Sequence, residues 1–314
     1  MKVLFIDKVH PILQEQLLQS GYQVDEDYHC TFEELKQKIS SFDGLVIRSR
    51  LKMNADLLNQ AGRLKFIARS GAGLENIDLA AAKENKIQVF NSPEGNMTAV
   101  GEHALGMLLM LLNKLHSANS DIRSGLWERE KNRGKELSSM TVGLIGAGNM
   151  GQSFAQKLQG FGCRVLAYDK YNPIKASGNL RPATLSEVQT ESNVISFHTP
   201  HSEETHHYFN LEFLEAMKKP FYLVNTARGT AVQTKSLLAG LKQGKILGAA
   251  LDVLEYEPSS FEKLNIASVP LSFQELMKFN NVVLSPHVAG WTEESLVRLA
   301  TVLGDKILAE FGKF

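Results

Sequence analysis

The stretch LVNTARGTAV, residues 223–232, runs an apolar segment into Arg228, with no acidic residue within five positions on either side. A guanidinium placed there suits a carboxylate brought from outside, because its planar fork grips two oxygens where an ammonium offers a point charge. The competing use is a salt bridge between domains. The next apolar segment, ILGAALDV, leads into LEYEP, where Glu257 is the acid directly before Pro258 and Asp252 and Glu255 stand close by. NVVLSPH then delivers His287. A carboxylate hydrogen-bonded to an imidazole fixes the ring and favours its protonated form, which gives an acid for ketone reduction and a base for the reverse oxidation. A lone histidine after a strand usually serves structure. The order arginine, acid, histidine at the ends of successive strands argues for chemistry instead.

A second constellation lies upstream. TVGLIGAGNMG places Gly146, Gly148 and Gly151 in a G-x-G-x-x-G pattern after an apolar segment and at the opening of a helical one. In such a pattern the glycines permit a tight turn, close backbone approach to a pyrophosphate, and close helix–strand packing. The helix N-terminus adds unpaired N–H groups and partial positive charge. Eighteen positions past Gly151, the segment CRVLAYD ends on Asp169, where an acid holds ribose hydroxyls. An acid there repels a 2′-phosphate, so NAD is expected over NADP, with Lys170 beside it as the feature pulling the other way.

These groups need elements to position them. VLFID, YQV, GLVIRS, KFIARSG and IQVF are expected strands, separated by helical stretches at 11–20, 32–40, 54–61 and 76–85. The pattern then restarts with TVGLIG, CRVLAYD, NVISFHT, FYLVNTA, ILGAALDV and NVVLSPH. Alternation of this kind predicts an α/β chain with two doubly wound parallel-sheet domains. The expected division is 1–97 plus 288–314 against 98–287. A helix over roughly 98–119, apolar on nearly every face, needs a large partner surface, and 292–311 is expected to pack back on the first domain.

The bulk properties narrow the classes. Lys+Arg and Asp+Glu are both 34 among 314 residues, so no global field attracts nucleic acid or an anionic membrane. Two cysteines, Cys30 and Cys163, form no disulfide framework or metal pattern, which suits a reducing cytoplasm. The apolar start is too short for a signal-peptide core, and ALGMLLMLL at 104–112 is about half a membrane span. No metal site is expected; His201, His206 and His207 read as a polar surface cluster.

Taken together, GAGNMG with Asp169, HTP at 198–200, NTARG, LDVLEYEP and SPHVAG resemble the D-isomer-specific 2-hydroxyacid dehydrogenases over essentially the whole chain. The resemblance implies a flavodoxin-like substrate domain and a Rossmann NAD domain with the active site in the cleft between them. It implies hydride transfer between nicotinamide and the C2 of a hydroxy acid. Arg228 would bind the substrate carboxylate and keto oxygen, His287 would shuttle the proton, and Glu257 would pair with it. The cofactor set it implies is Gly146, Gly148, Asn149, Met150, Gly151, Asp169, His198, Thr199, Pro200, Thr226, Ala227 and Asp252, the last near the nicotinamide.

VIRSR (46–50), IARSGAG (67–73), NSPEGN (91–96) and GLWERE (125–130) resemble segments of phosphoglycerate dehydrogenases in particular. They imply a substrate phosphate gathered by Arg48, Ser49 and Arg69, with Arg129 contributed by a neighbouring subunit. Amide groups of Ser70 and Gly71 would share the carboxylate with Arg228, and Asn96 joins the substrate set. A doubly charged phosphate needs several cations, which agrees. The bland alternative for Arg48 and Arg50 is a solvated strand end.

The expected function is thus NAD-dependent oxidation of D-3-phosphoglycerate, a step toward serine, by a homodimer that buries the apolar helix against its twin. Reduction of glyoxylate, hydroxypyruvate or another 2-keto acid is the alternative within enzymes, and an NAD-sensing binding module the alternative outside them. The chain departs from the family in ending at Phe314, where a regulatory serine-binding domain follows in some relatives; serine feedback through it is not expected. The segment 258–286 looks long, with Phe261, Leu264 and Phe273 expected to cover the cleft or meet a partner, and His201 stands where leucine is common.

Overall fold

Among the described residues there are twelve strands, and all of them pair in parallel. The computed structural model describes residues 1–257 and 269–313. Phe261 and Leu264 lie outside the described residues. The chain forms two units, Met1–Met97 with Trp291–Phe314, and Thr98–Gly290.

The first unit is a five-stranded sheet in the order β2-β1-β3-β4-β5. Its strands are β1 (Lys2–Phe5), β2 (Gln23–Glu26), β3 (Gly44–Ile47), β4 (Phe66–Arg69) and β5 (Gln88–Asn91). This is the flavodoxin-like order. Side chains alternate across the pleat. Leu4 packs on one face with Leu35, Leu57 and Ala81, while Val3 and Phe5 pack on the other with Leu13 and Leu17. Helix α1 (Ile12–Gln19) supplies those last two leucines. Helix α2 (Phe32–Lys38) starts in a capping box, Thr31 and Glu34 each accepting the other's amide at 3.3 and 2.7 Å. The short helices α3 (Ala55–Leu58) and α4 (Leu79–Glu84) are capped by Asn54 and Asp78. The last helix, α12 (Glu293–Phe311), buries Ala300, Leu303 and Ile307 in this unit's core, where the sequence placed it.

The second unit carries seven strands in the order β12-β11-β10-β9-β6-β7-β8. They are β6 (Thr141–Ile145), β7 (Arg164–Tyr168), β8 (Leu180–Pro182), β9 (Val194–Phe197), β10 (Phe221–Asn225), β11 (Ile246–Leu251) and β12 (Val282–Leu284). The sequence reading supplied six of these and missed β8. That strand is three residues long, buries only Leu180, and ends on a proline at the sheet edge, so it carries almost no hydrophobic signal.

The expected single helix over 98–119 is two helices. Helix α5 (Pro93–Leu112) ends before Lys114, whose left-handed φ of 52° breaks the ladder, and α6 (Leu115–Arg123) follows. The apolar run stops at Leu112, and polar Asn113 and Lys114 stand at the break. Ala104, Met107, Leu108, Leu111 and Leu112 of α5 are buried in the second unit's core. Phe273, on α11 (Leu271–Leu276), is 1% exposed and meets the Tyr256 ring edge-on at 6.2 Å, so it is a core residue of this unit.

Candidate functional site

In the second unit the cofactor and catalytic candidates lie in the segments that follow the carboxyl ends of parallel strands. Gly146 follows β6, Asp169 follows β7, His198–Pro200 follow β9, and Thr226–Arg228 follow β10. Asp252 follows β11 and His287 lies beyond β12. Strand β6 has β7 on one side and β9 on the other, so the connections leave it in opposite directions and open a crevice at its carboxyl end. The glycine motif occupies that switch point. Asp169 stands to one side of it, and Arg228, Glu257 and His287 are spread along the other.

The glycines are required by packing. Gly146 has φ +92°, and a Cβ on it would fall 2.7 Å from the His198 carbonyl oxygen; on Gly151 it would fall 2.3 Å from the Gly146 carbonyl oxygen. Gly148, the N-cap of α7 (Asn149–Leu158), faces open space, as a backbone meant for close ligand approach should. Asn149 and Met150 begin that helix. Asp169 is held by its neighbours: its Oδ2 accepts the Ala147 amide at 2.9 Å, and its Oδ1 accepts the Tyr171 and Asn172 amides at 3.0 and 2.8 Å. Burial works against its charge, yet these backbone donors prevail and keep the carboxyl below its ordinary range. The carboxylate is therefore a fixed negative charge tied to the glycine turn.

Three buried polar atoms at the same sheet edge have no hydrogen-bond partner among the described residues: Thr199 Oγ1, Thr226 Oγ1 and His198 Nδ1. A group that brings its own hydroxyls and amide satisfies such atoms, so the residues present fit a dinucleotide. His198 is the neutral form of imidazole, its pKa pushed down by burial to about 3. Its Nε2 lies 2.9 Å from Ser196 Oγ.

Arg228 is half-buried, and its Nη1 donates to the Ala227 carbonyl at 2.7 Å. Its main chain is held by Asn225, fully buried at the end of β10, whose Nδ2 donates to the Arg228 carbonyl at 2.9 Å and whose Oδ1 accepts the Ala227 amide at 3.1 Å. Gly229 packs so tightly on the next loop that a Cβ there would lie 1.9 Å from the Leu254 carbonyl oxygen. That loop is the turn carrying Glu257, whose Oε2 accepts the Leu254 amide at 3.3 Å. Glu257 Oε1 lies 3.2 Å from His287 Nδ1. The arginine, the acid and the histidine are thus brought together through a chain of direct contacts.

Asp252 anchors the far side of this group. It is 1% exposed, and its carboxylate accepts from Ser285 Oγ at 2.6 Å and from the Val288 and Ala289 amides, both at 2.9 Å. His103 of α5 approaches it at 3.4 Å and Ser285 Oγ at 2.9 Å. Burial again opposes the charge, and the His103, Ser285 and amide donors overcome it, so the pKa is lowered. Read from sequence as a cofactor neighbour, Asp252 turns its described hydrogen bonds toward the loop that presents His287. Glu255 accepts His207 Nε2 and the Thr234 amide, each at 2.7 Å. The expected surface cluster of histidines is accordingly divided: His207 is half-buried and hydrogen-bonded to Glu255, whereas His201 is exposed with Nδ1 3.2 Å from Thr230 Oγ1. Among the described residues no group of three or more His, Cys, Asp or Glu could hold a metal ion.

In the first unit, too, the candidates lie at strand carboxyl ends. Arg48 and Ser49 follow β3, Arg69 ends β4, and Ser70 and Gly71 follow it. Asn96 lies in the first turns of α5 with its Oδ1 buried and without a protein partner. Arg69 Nε donates to the Arg48 carbonyl at 3.4 Å. Two expectations change here. The Ser70 amide, expected to face a carboxylate, extends the sheet by donating to the Ile47 carbonyl at 2.9 Å. Arg50 is exposed at the strand end yet tied down: it bonds Asp7 Oδ1 at 3.2 Å, the Cys30 carbonyl at 2.6 Å and the Ile6 carbonyl at 2.8 Å. Arg129, of the second unit, is exposed beyond α6.

Sequence reasoning missed Asn225, His103 and Trp291, which lies against Arg48. Asn225 had a signal, a polar residue closing an otherwise apolar strand; His103, in the middle of an apolar helix, had the same kind of signal.

Residues 105–289 match the D-isomer specific 2-hydroxyacid dehydrogenase, NAD binding domain. Over 287 residues, 90% of each chain, the sequence is 37% identical to a hydroxypyruvate reductase of Thermotoga maritima. It is 32% identical over 310 residues to a D-3-phosphoglycerate dehydrogenase of Methanocaldococcus jannaschii, covering 98% of this chain but only 57% of that relative. The fold superposes on a D-lactate dehydrogenase from Aquifex aeolicus complexed with NAD and lactic acid with a TM-score of 0.83, 28% identity, and coverage of 99% and 96%. Among the described residues no helix is long and apolar enough to cross a membrane.

Proposed function

Because the chain belongs to the D-isomer-specific 2-hydroxyacid dehydrogenase family, with NAD as its cofactor, we propose that its substrate is D-3-phosphoglycerate, oxidised at C2 to 3-phosphohydroxypyruvate. The observation that carries this reading is Arg48. Its guanidinium is half-buried yet makes no hydrogen bond or ion pair among the described residues. A cation withdrawn from water without such a partner is destabilised unless an anion joins it. Arg69 stands beside it, and a phosphate needs both.

In this reading Gly146, Gly148, Asp169, Thr199 and Thr226 hold NAD, whose nicotinamide supplies or accepts the hydride. Arg228 binds the substrate carboxylate in a two-point fork and polarises the C2 oxygen. His287 exchanges the proton of that oxygen through Nε2, since Nδ1 faces Glu257. Glu257 orients the ring through that contact. In the oxidation His287 takes the hydroxyl proton; in the reduction it returns it, so atoms and charge balance in both directions. The reaction would be a step toward serine.

The 37% identity to a protein named hydroxypyruvate reductase favours a second reading, in which the substrate lacks the phosphate. Initial rates of NADH oxidation with 3-phosphohydroxypyruvate, hydroxypyruvate, glyoxylate and pyruvate separate the two. A preference of about tenfold in kcat/KM for the phosphorylated acid, equal to roughly 1.4 kcal/mol, is expected. A flat profile, or one led by glyoxylate, would assign the second reading.

We further propose a homodimer. Leu115 and Ile122 of α6, with Leu126 and Trp127 just beyond it, are 54, 55, 47 and 79% exposed. Four large apolar side chains exposed within thirteen residues of sequence support an interface there. Arg129 follows directly in the chain, in keeping with a residue lent to a neighbour. Sedimentation at micromolar concentration is expected to give a dimer; a monomer would remove both proposals.

A further inference from the structure

Arg48 is fixed at its main chain on both sides. Its amide donates to Asp7 Oδ2 at 2.6 Å, and its carbonyl accepts from Asn76 Nδ2 at 2.9 Å and Arg69 Nε at 3.4 Å. The side chain then lies over the Trp291 ring, with Cζ 4.3 Å from the centroid. Burial lowers the guanidinium's pKa from its ordinary value, and the charge of Asp7 acts in the other direction. The contrast with Arg50 is instructive. Arg50 commits its Nε, Nη1 and Nη2 to Asp7, Cys30 and Ile6, so it is a structural clamp.

We propose that Trp291 is a specificity-determining residue: it holds Arg48 by its face and so keeps the N–H edge for the phosphate of a phosphorylated 2-hydroxy acid. The inference rests on the phosphate reading above. Its physical basis is the geometry of the two ways to hold a guanidinium. An ion pair with a protein carboxylate occupies the in-plane donors, whereas an aromatic face attracts the cation through its quadrupole and leaves all five N–H groups usable. An indole also limits the rotamers of a long side chain, so less ordering remains to be done when the anion arrives. Trp291 is 50% exposed, a costly position for a large apolar ring unless the exposed face has a use. In the sequence it stands four residues after His287, so one short stretch carries both the proton-handling group and the platform for the phosphate-binding cation.

The chain has two tryptophans, Trp127 and Trp291, which makes the test direct. In the full chain carrying Trp127→Phe, Trp291 is the only indole. Its emission is expected to change saturably with 3-phosphoglycerate and not with D-glycerate at equal concentration. Adding Arg48→Met should abolish the change. In steady state, Trp291→Leu should lower kcat/KM for 3-phosphohydroxypyruvate about tenfold, through KM, and leave hydroxypyruvate within about twofold. Trp291→Phe, which keeps an aromatic face, should retain most of the preference. Equal losses on the two substrates, no loss, or emission that follows D-glycerate as closely as 3-phosphoglycerate would overturn the inference. The two readings fail separately. A wild-type enzyme with no preference for the phosphorylated acid removes the phosphate reading itself. A preference that Arg48→Met abolishes but Trp291→Leu leaves intact removes only the role of Trp291.

Discussion

The main-chain carbonyl of Asp252 accepts the amide of His287 at 2.7 Å, while the Asp252 carboxylate accepts the amides of the two residues that follow. His287 has φ +57°, a left-handed conformation that side-chain-bearing residues adopt at some cost. A single buried aspartate therefore over-determines the loop that presents His287. Asp252→Asn puts an amide where two N–H donors converge, and it should destabilise the fold by about 2–4 kcal/mol, since charge-assisted bonds are each worth roughly 1.5–3. The pH dependence follows from the lowered pKa. The stabilisation is present above the unfolded aspartate's value of about 3.9 and is lost as pH falls through the lower folded value. Denaturant unfolding of the two proteins from pH 7 to 2 should show curves that converge only in acid. A constant gap across that range would assign Asp252 a neutral packing role.

Arg228, Glu257 and His287 make separable demands on the kinetics. His287→Ala removes the proton exchange and should lower kcat by about 10²–10⁴ with NADH affinity unchanged. Arg228→Ala should raise KM and also lower kcat, because the fork serves both carboxylate and developing oxyanion, at roughly 1.5–3 kcal/mol for each charged hydrogen bond lost. Glu257→Gln keeps the shape and removes the charge, so it should act on kcat more than on KM. Steady-state rates together with NADH titration test all three. Near wild-type values in any one would take that residue out of the mechanism.

Much of this site could be read before any coordinates. G-x-G-x-x-G with Asp169, and the sequence Arg228, Glu257, His287, are local signals whose spacing is set by strand-turn geometry, and strands of four to six residues with β-branched cores announce themselves. What stayed hidden was long-range. The packing of Gly229 on Leu254, the bond from His103 to Ser285 and the stacking of Arg48 on Trp291 join residues 25 to 243 positions apart, and no periodicity encodes them. The break at Lys114 was hidden for a different reason: one backbone dihedral changes sign, and a positive φ at a lysine leaves no mark in the sequence.

Gly229 is where two of these levels meet. A methyl group at this position would sit 1.9 Å from the Leu254 oxygen and 2.1 Å from its carbon, both main-chain atoms that cannot swing aside. Gly229→Ala must move either the Arg228 loop or the Glu257 turn. The expected result is a loss of several kcal/mol in stability, of the order seen for overpacking at about 1–3 or more, with a fall in kcat exceeding the fall in NADH affinity. Thermal unfolding and steady-state kinetics on the same preparation check it. Unchanged kcat in a folded variant would show that the two loops reach their catalytic positions independently.

The last prediction concerns the choice of dinucleotide. Asp169 is a carboxylate pinned by three backbone amides, and Lys170 beside it is paired with Glu204, which also bonds the Tyr171 hydroxyl. The cation that seemed to invite a 2′-phosphate is thus already matched, while the fixed negative charge is tied to the glycine turn. NAD should bind more tightly than NADP by a factor that falls with salt, because repulsion between a partly exposed carboxylate and a phosphate is screened. Asp169→Asn should weaken NADH and narrow its advantage over NADPH, and adding Glu204→Gln, which releases Lys170, should narrow it further. Fluorescence titration of both cofactors at low and moderate ionic strength measures each step. An advantage for NADH that survives both substitutions would place the discrimination elsewhere in the crevice.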